Sequence, residues 1–203
     1  IAHRLGREFR EEHHLPAEGY YWALLMGGLI RHQPETDLDP SSMAAEVKSL
    51  LRTAEEHGAT LLVSTSRRSP PAVVDALAEV LSGHPLVAFF QDFRTDPRRT
   101  TGHLLGVATQ AFLTPDSVSM ISETLWAGRG LTLIPMVRDR QSQPVVPTPK
   151  HRRFLENIQA QGQGRWFGPS WEPPRTRVDL EYRHPDFLAI QSRLRELLRD
   201  VPR

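Results

Sequence analysis

The chain has 203 residues, enough for one substantial domain, or one domain with an appended arm, and for a real hydrophobic core. Its 25 Lys and Arg nearly balance 24 Asp and Glu, so there is no cationic surplus for a polyanion and nucleic acid is not an expected partner. The absence of cysteine excludes disulfides, thiolate metal sites and cysteine nucleophiles, and no apolar run approaches a membrane span or a signal-peptide core, so a soluble, cytoplasmic protein is expected.

Leu5 to His14 is rich in charge and reads as a helix, broken before the next element by Pro16 and Gly19. The chain opens on Ile1 rather than Met, so residues 1–19 are expected to lead from a preceding domain. Tyr20 to Met26 is a near-continuous apolar run closed by Gly27-Gly28, the pattern of a central strand buried on both faces. Leu29 to Pro40 is polar and proline-bearing, hence a loop. From about Ser41 to His57, Met43, Val47, Leu50, Leu51 and Ala54 make the apolar stripe of a helix that Gly58 stops.

Thr60 to Ser64 is the second predicted strand. After Thr65-Ser66-Arg67-Arg68, Ser69 is placed to cap and Pro70 to open a helix presenting Val73, Val74, Leu77, Val80 and Leu81. Leu86 to Phe90 is the third strand, Asp92 to Thr101 an arginine-bearing loop, and Gly102 to Gln110 a short helix. Ala111 to Leu113 is the fourth strand, and Leu131 to Met136 the fifth. Between them lies Thr114-Pro115-Asp116-Ser117-Val118-Ser119-Met120-Ile121-Ser122-Glu123, a strand-to-helix turn. A helix starting at Asp116 or Ser117 puts Asp116, Ser119 and Glu123 on one face and Val118, Ile121 and Leu125 on another, the second suited to packing on the sheet. The polar face, with the free N–H groups of the first turn, suits an anion near its start and hydroxyl groups further in. The plainer alternative is an N-cap followed by a solvated Glu123.

Five alternations of strand and helix point to an α/β fold, a Rossmann-like, doubly wound parallel sheet in the order 3-2-1-4-5 with helices on both faces. The switch point then lies between the first and fourth strands, where Gly27 to His32 and Thr114 to Glu123 converge and where such sheets bind ligands. Residues 20–137 form this domain. Residues 138–203 form a C-terminal extension with two helices, one opened by Thr148-Pro149 and reaching about Gln161, the other from about Pro185 to Leu198. Gly162 to Arg177 lies between them without period.

Gly27 and Gly28 permit close backbone approach to a phosphate, or simply turn the chain. Arg67 and Arg68, at the same sheet edge, are suited to clamping a diphosphate, or to pairing with a helix carboxylate. Of nine histidines, His13, His14 and His184 lack partners at metal-ligand spacing, so no metal site is assigned. The G-x-S-x-G elbow, the P-loop and the dinucleotide fingerprint G-x-G-x-x-G are absent, which disfavours serine hydrolases, NTPases and NAD. Trp22, Trp126, Trp166 and Trp171 are expected to pack rather than to serve as stacking platforms; Trp166 and Trp171, in an irregular segment, are the two whose setting also suits meeting a partner or an acceptor.

The strings Leu61 to Pro70, Gly27-Gly28 and Asp116 to Glu123 resemble the mitochondrial-fission ELM family and its bacterial relatives, which are regarded as glycosyltransferases of the GT-B fold. More distantly they resemble the nucleotide-sugar half of MurG-type transferases. The resemblance spans about Leu24 to Met136 and implies a GT-B C-terminal domain. A UDP- or other NDP-sugar donor would sit at the switch point. Gly27 and Gly28 would lie near the diphosphate, with Asp116, Ser117 and Ser119 in the turn that holds it. Glu123 would accept ribose hydroxyls, and Arg67 or Arg68 would neutralise the leaving nucleotide. The donor is then a substrate, no intrinsic cofactor is expected, and no catalytic residue is assigned. Relatives tend to carry Asn-Pro-Tyr where this chain has Asp96-Pro97-Arg98-Arg99-Thr100. The acceptor, a cell-envelope glycan or glycolipid, would bind an N-terminal domain that also supplies the base and that 203 residues cannot include; a lipid acceptor allows peripheral association with the inner face of the membrane. Alternatives are a nucleotide-sugar epimerase and a non-catalytic interaction protein on the same fold.

Overall fold

A computed structural model describes residues 2–28, 39–146 and 148–173. Arg31 and His32 of the first predicted loop, His184 and the predicted helix from Pro185 to Leu198 lie outside the described residues. In chain order the elements are α1 (Ala2–Glu12), β1 (Tyr21–Leu25), α2 (Pro40–Glu56), β2 (Thr60–Ser64), α3 (Pro71–Leu81), β3 (Val87–Gln91), α4 (Thr101–Val107), β4 (Gln110–Leu113), α5 (Val118–Trp126), β5 (Gly130–Leu133), α6 (Pro149–Ala160) and β6 (Gly164–Trp166). The strands form one parallel sheet in the order β3-β2-β1-β4-β5-β6. The expected 3-2-1-4-5 order is present, and β6 is an addition to it. Only three residues long, β6 is too short to show an alternating pattern, and its pairing with Leu131 to Leu133 defines it.

Every residue of β1 is buried, as its unbroken apolar run requires of a strand covered on both faces. Alternation then sorts neighbouring side chains into two cores. Trp22, Leu24, Leu61, Val63 and Phe112 face α2 and α3, while Tyr21, Ala23, Leu25, Leu62 and Leu113 join α1, α4, α5 and α6. Helix starts follow the capping chemistry. Asp39 accepts from the Ser42 N–H at 2.7 Å with Pro40 opening α2, and Thr148 accepts from the His151 N–H at 3.1 Å with Pro149 opening α6.

Three sequence expectations change. Ser69 does not cap α3; Pro70 holds the cap position without a side-chain bond, because the Ser69 hydroxyl turns towards the β1 loop instead. Helix α5 begins at Val118, so Asp116 stands outside it, and Val118 is 40% exposed rather than packed on the sheet; Ile121 and Thr124 are the buried positions. Of the tryptophans expected to pack, Trp126 departs. Trp126 is half exposed, while Trp171 is buried edge-on to Trp22 at 5.3 Å, its indole N–H donating to Thr132 Oγ1 at 3.0 Å. Trp166 is half-buried at the second core.

Segments outside residues 20–137 pack closely on the sheet domain. Arg138 pairs with Glu46 of α2 and donates to the Phe167 carbonyl, fastening the segment that leads to β6. Helix α1 crosses α4 where Gly6 meets Gly106 with no room for a side chain, since a Cβ on Gly6 would overlap the Gly106 carbonyl. No described helix is long and apolar enough to cross a membrane.

A Gly6→Val substitution must therefore push α1 away from α4. The expected cost is about 1–3 kcal/mol, seen as a lower urea midpoint at unchanged slope. An unaltered midpoint would contradict the close crossing.

Candidate functional site

Parallel register aligns three loops at one end of the sheet. Leu25 pairs with Ser64 on one side and with Leu113 on the other, so the chain leaves β1, β2 and β4 at the same level. Gly27-Gly28, Ser66 to Ser69 and Thr114 to Ser117 consequently meet, at the β1/β4 switch point.

Hydrogen bonds between the loops fix their shape. The Gly27 N–H donates to Thr114 Oγ1 at 2.7 Å and the Gly28 N–H to Asp116 Oδ2 at 2.8 Å. The Gly27 carbonyl accepts from the hydroxyls of Ser66, at 3.1 Å, and Ser69. Arg68 Nη2 reaches Asp116 Oδ2 at 3.3 Å, so one carboxylate ties the first loop to the second and fourth. Neither glycine tolerates a side chain. A Cβ on Gly27 would strike the Asp116 carboxylate, and one on Gly28 the Arg68 backbone.

The Asp116 side chain has no solvent exposure. Burial pushes its carboxyl above the ordinary value, opposed by the Gly28 N–H, the Thr114 hydroxyl and the Arg68 guanidinium. Oδ1 is buried with no partner among the described residues. Asp116 is thus a tie beneath the loops, not a group on the polar face of α5.

What the loops leave open lies on the rim. Ser117, itself buried, occupies the cap position of α5 without a side-chain cap bond; its hydroxyl lies 3.3 Å from that of the exposed Ser119 instead. The N–H groups of Val118, Ser119 and Met120 open the helix, and Ser119 and Glu123, one turn apart, are exposed. Arg67 is exposed and has no polar partner among the described residues; Arg68 is 46% exposed beyond its contact with Asp116. In the Asp92 to Thr101 loop Arg94 is committed to Asp92 and Asp75, and Arg98 to Asp96 and Glu12, whereas Arg99 is exposed with no polar partner among the described residues. Gln91 donates to the Asp96 and Arg98 carbonyls and holds that loop against Thr100 and Ser64.

A glycine pair, a Ser-Arg-Arg-Ser turn and an Asp-Ser-Val-Ser helix start are thus joined at one switch point. The family model for mitochondrial fission ELM1 matches residues 4–184. The chain belongs to that family. No curated protein matches it. The residues matched by the ELM1 family include all three loops, and α1 and β6 as well, well beyond the Leu24 to Met136 span of the motifs themselves.

Of the predicted site residues in this ELM1-family chain, the structure brings together Gly27, Gly28, Arg68 and Asp116 by direct contact. Ser117, Ser119 and Glu123 stand along the start of α5, and Arg67 is beside Arg68 on the rim. Thr114, Ser66 and Ser69 complete the junction and were assigned no part in it from sequence. Their signal was the density of small hydroxyl residues at two strand ends, whose partners lie in other loops.

The raised carboxyl gives a signed stability prediction. Asp116 favours the folded chain most at pH below its ordinary value, and that contribution is lost as pH rises through the raised one. Asp116→Asn cannot titrate, so its stability relative to wild type should increase between about pH 4 and about pH 7, measured by urea unfolding. A difference that stayed constant or shrank would contradict the burial argument.

Proposed function

We propose that the chain is the donor-binding half of a glycosyltransferase of the GT-B type, holding a nucleoside diphosphate-sugar, with UDP-sugars the first candidates, at the C-terminal ends of β1 and β4. The observation that carries this reading is the side-chain-uncapped N-terminus of α5 at the switch point, beside two exposed arginines. Free N–H groups and the positive end of a helix favour an anion there. The diphosphate spans the first turn of α5, with the Ser117 and Ser119 hydroxyls beside it, and Glu123 accepts hydrogen bonds from the ribose.

Gly27 and Gly28 contribute by shape. Their N–H groups are spent on Thr114 and Asp116, so their part is a side-chain-free loop against which the donor can lie closely. Arg67 and Arg68 neutralise charge that grows on the diphosphate as the bond to the sugar breaks. The acceptor, a cell-envelope glycan or glycolipid, and the general base come from a second domain facing this rim.

Calorimetric titration with UDP-, GDP-, ADP- and CMP-sugars tests the reading on a chain shown to be folded. Binding of one nucleotide class is expected, weakened about tenfold or more by Glu123→Ala and by Arg67→Ala, in line with loss of a charge-assisted hydrogen bond. No binding across the panel would remove the donor site. Equal binding by Glu123→Ala would remove only the ribose role of that residue.

A further inference from the structure

Asp116 brings a negative charge to the floor of a crevice that, on the reading above, receives another anion. Its Oδ2 accepts the Gly28 N–H at 2.8 Å and a long 3.3 Å contact from Arg68, and its Oδ1 has no partner among the described residues. Arg68 is differently placed. Nearly half of its side chain is exposed, and among the described residues its guanidinium makes no other hydrogen bond. A phosphate arriving at the rim offers that guanidinium a shorter, two-pronged partner than the buried carboxylate does.

Among the described residues no second cation is in contact with the carboxylate to take Arg68's place. The described part of the β1 loop supplies Gly27 and Gly28, the β2 loop supplies Arg67 on the exposed rim, the β4 loop supplies Thr114 and Ser117, and α5 carries Glu123 on its exposed side. When Arg68 turns to a diphosphate, Asp116 loses its counter-charge and acquires a like charge nearby. Both changes favour the neutral acid.

We propose that Asp116 is a positioning residue that holds Arg68 and the glycine loop ready for the donor and takes up a proton from solvent when the diphosphate claims the guanidinium. The step converts a carboxylate and a solvent proton into a carboxylic acid whose carbonyl oxygen still accepts the Gly28 N–H. No bond to the ligand is formed by Asp116. The inference rests on the nucleotide-sugar reading of the site. Burial already lifts this carboxyl above its ordinary value, so anion binding extends an existing tendency. The sign follows from linkage. The bound-state value lies above the free one, so affinity rises as pH falls from the former to the latter and is level outside that window.

The test is calorimetry of the full chain with UDP-glucose, whose diphosphate has no group titrating across the range, in two buffers of unlike ionisation enthalpy from about pH 4 to about pH 8. Net proton uptake is expected, with affinity rising towards low pH by at most about tenfold per pH unit. Asp116→Asn, checked for folding by circular dichroism, is expected to bind with no proton uptake from this group and a flattened profile. Carboxyl-carbon NMR of the wild type needs no variant: the Asp116 midpoint should rise on saturation. Binding without proton uptake, an unmoved Asp116 midpoint, or a wild-type slope in Asp116→Asn would each overturn the inference and leave the donor site standing. Failure of UDP-glucose and of every other sugar nucleotide to bind would remove both.

Discussion

The Gly28 N–H donates to Asp116 across 88 positions of sequence, and around this one buried contact the end of the sheet is arranged. It works in both directions. The carboxylate needs the donor because its surroundings are dry, and the glycine loop needs the carboxylate because its amide would otherwise be buried without a partner. Such a charge-assisted bond contributes about 1.5–3 kcal/mol, much of it offset by the cost of burying the charge. Its larger consequence is geometric. With Thr114 on Gly27 and Arg68 on the same carboxylate, three separate loops act as one rigid floor.

The floor depends on the sheet beneath it. Parallel pairing at Leu25, Ser64 and Leu113 brings the loops level, and the two cores keep that register by dividing alternate side chains between opposite faces. A one-residue slip of β1 would turn Trp22 away from Phe112 and Trp171, which it contacts at 5.2 and 5.3 Å, and would move Gly27 off Asp116. Packing at the far end of the strands thus positions the residues at the site end.

Much of this was legible in the sequence because it is local. Apolar runs bounded by Gly and Pro marked five strands, and their spacing by helical stripes marked a parallel order and its switch point. The Asp39-Pro40 and Thr148-Pro149 starts also conform to local chemistry, although α2 opens one residue earlier than its apolar stripe suggests. What was not legible depended on distant partners. Ser69 looks like a cap beside a proline, but its hydroxyl finds the Gly27 carbonyl 42 residues away. Asp116 has the spacing of a helix-face residue, yet it precedes α5 and is tied beneath the loops by Gly28 and Arg68. Trp171 lies in a stretch without period and is buried against Trp22, Phe112 and Phe167, with Thr132 accepting its N–H; Trp126 has helical spacing but is half exposed at the end of α5. The family match covers these elements as well as the motifs, so the motifs alone understated how much of the chain belongs together.

The start of α5 and the arginine rim, held by Asp116, are proposed as the anion site for a nucleoside diphosphate-sugar. Backbone amide NMR during titration with UDP-, GDP-, ADP- and CMP-sugars tests it most directly. The account predicts that one class shifts the amides of Val118, Ser119 and Met120 first and most, together with the Arg67 and Arg68 side-chain signals. Shifts confined to another surface, such as the groove between α2 and α3 lined by Ala44, Lys48 and Glu79, would contradict it, as would no shift at all in a folded chain.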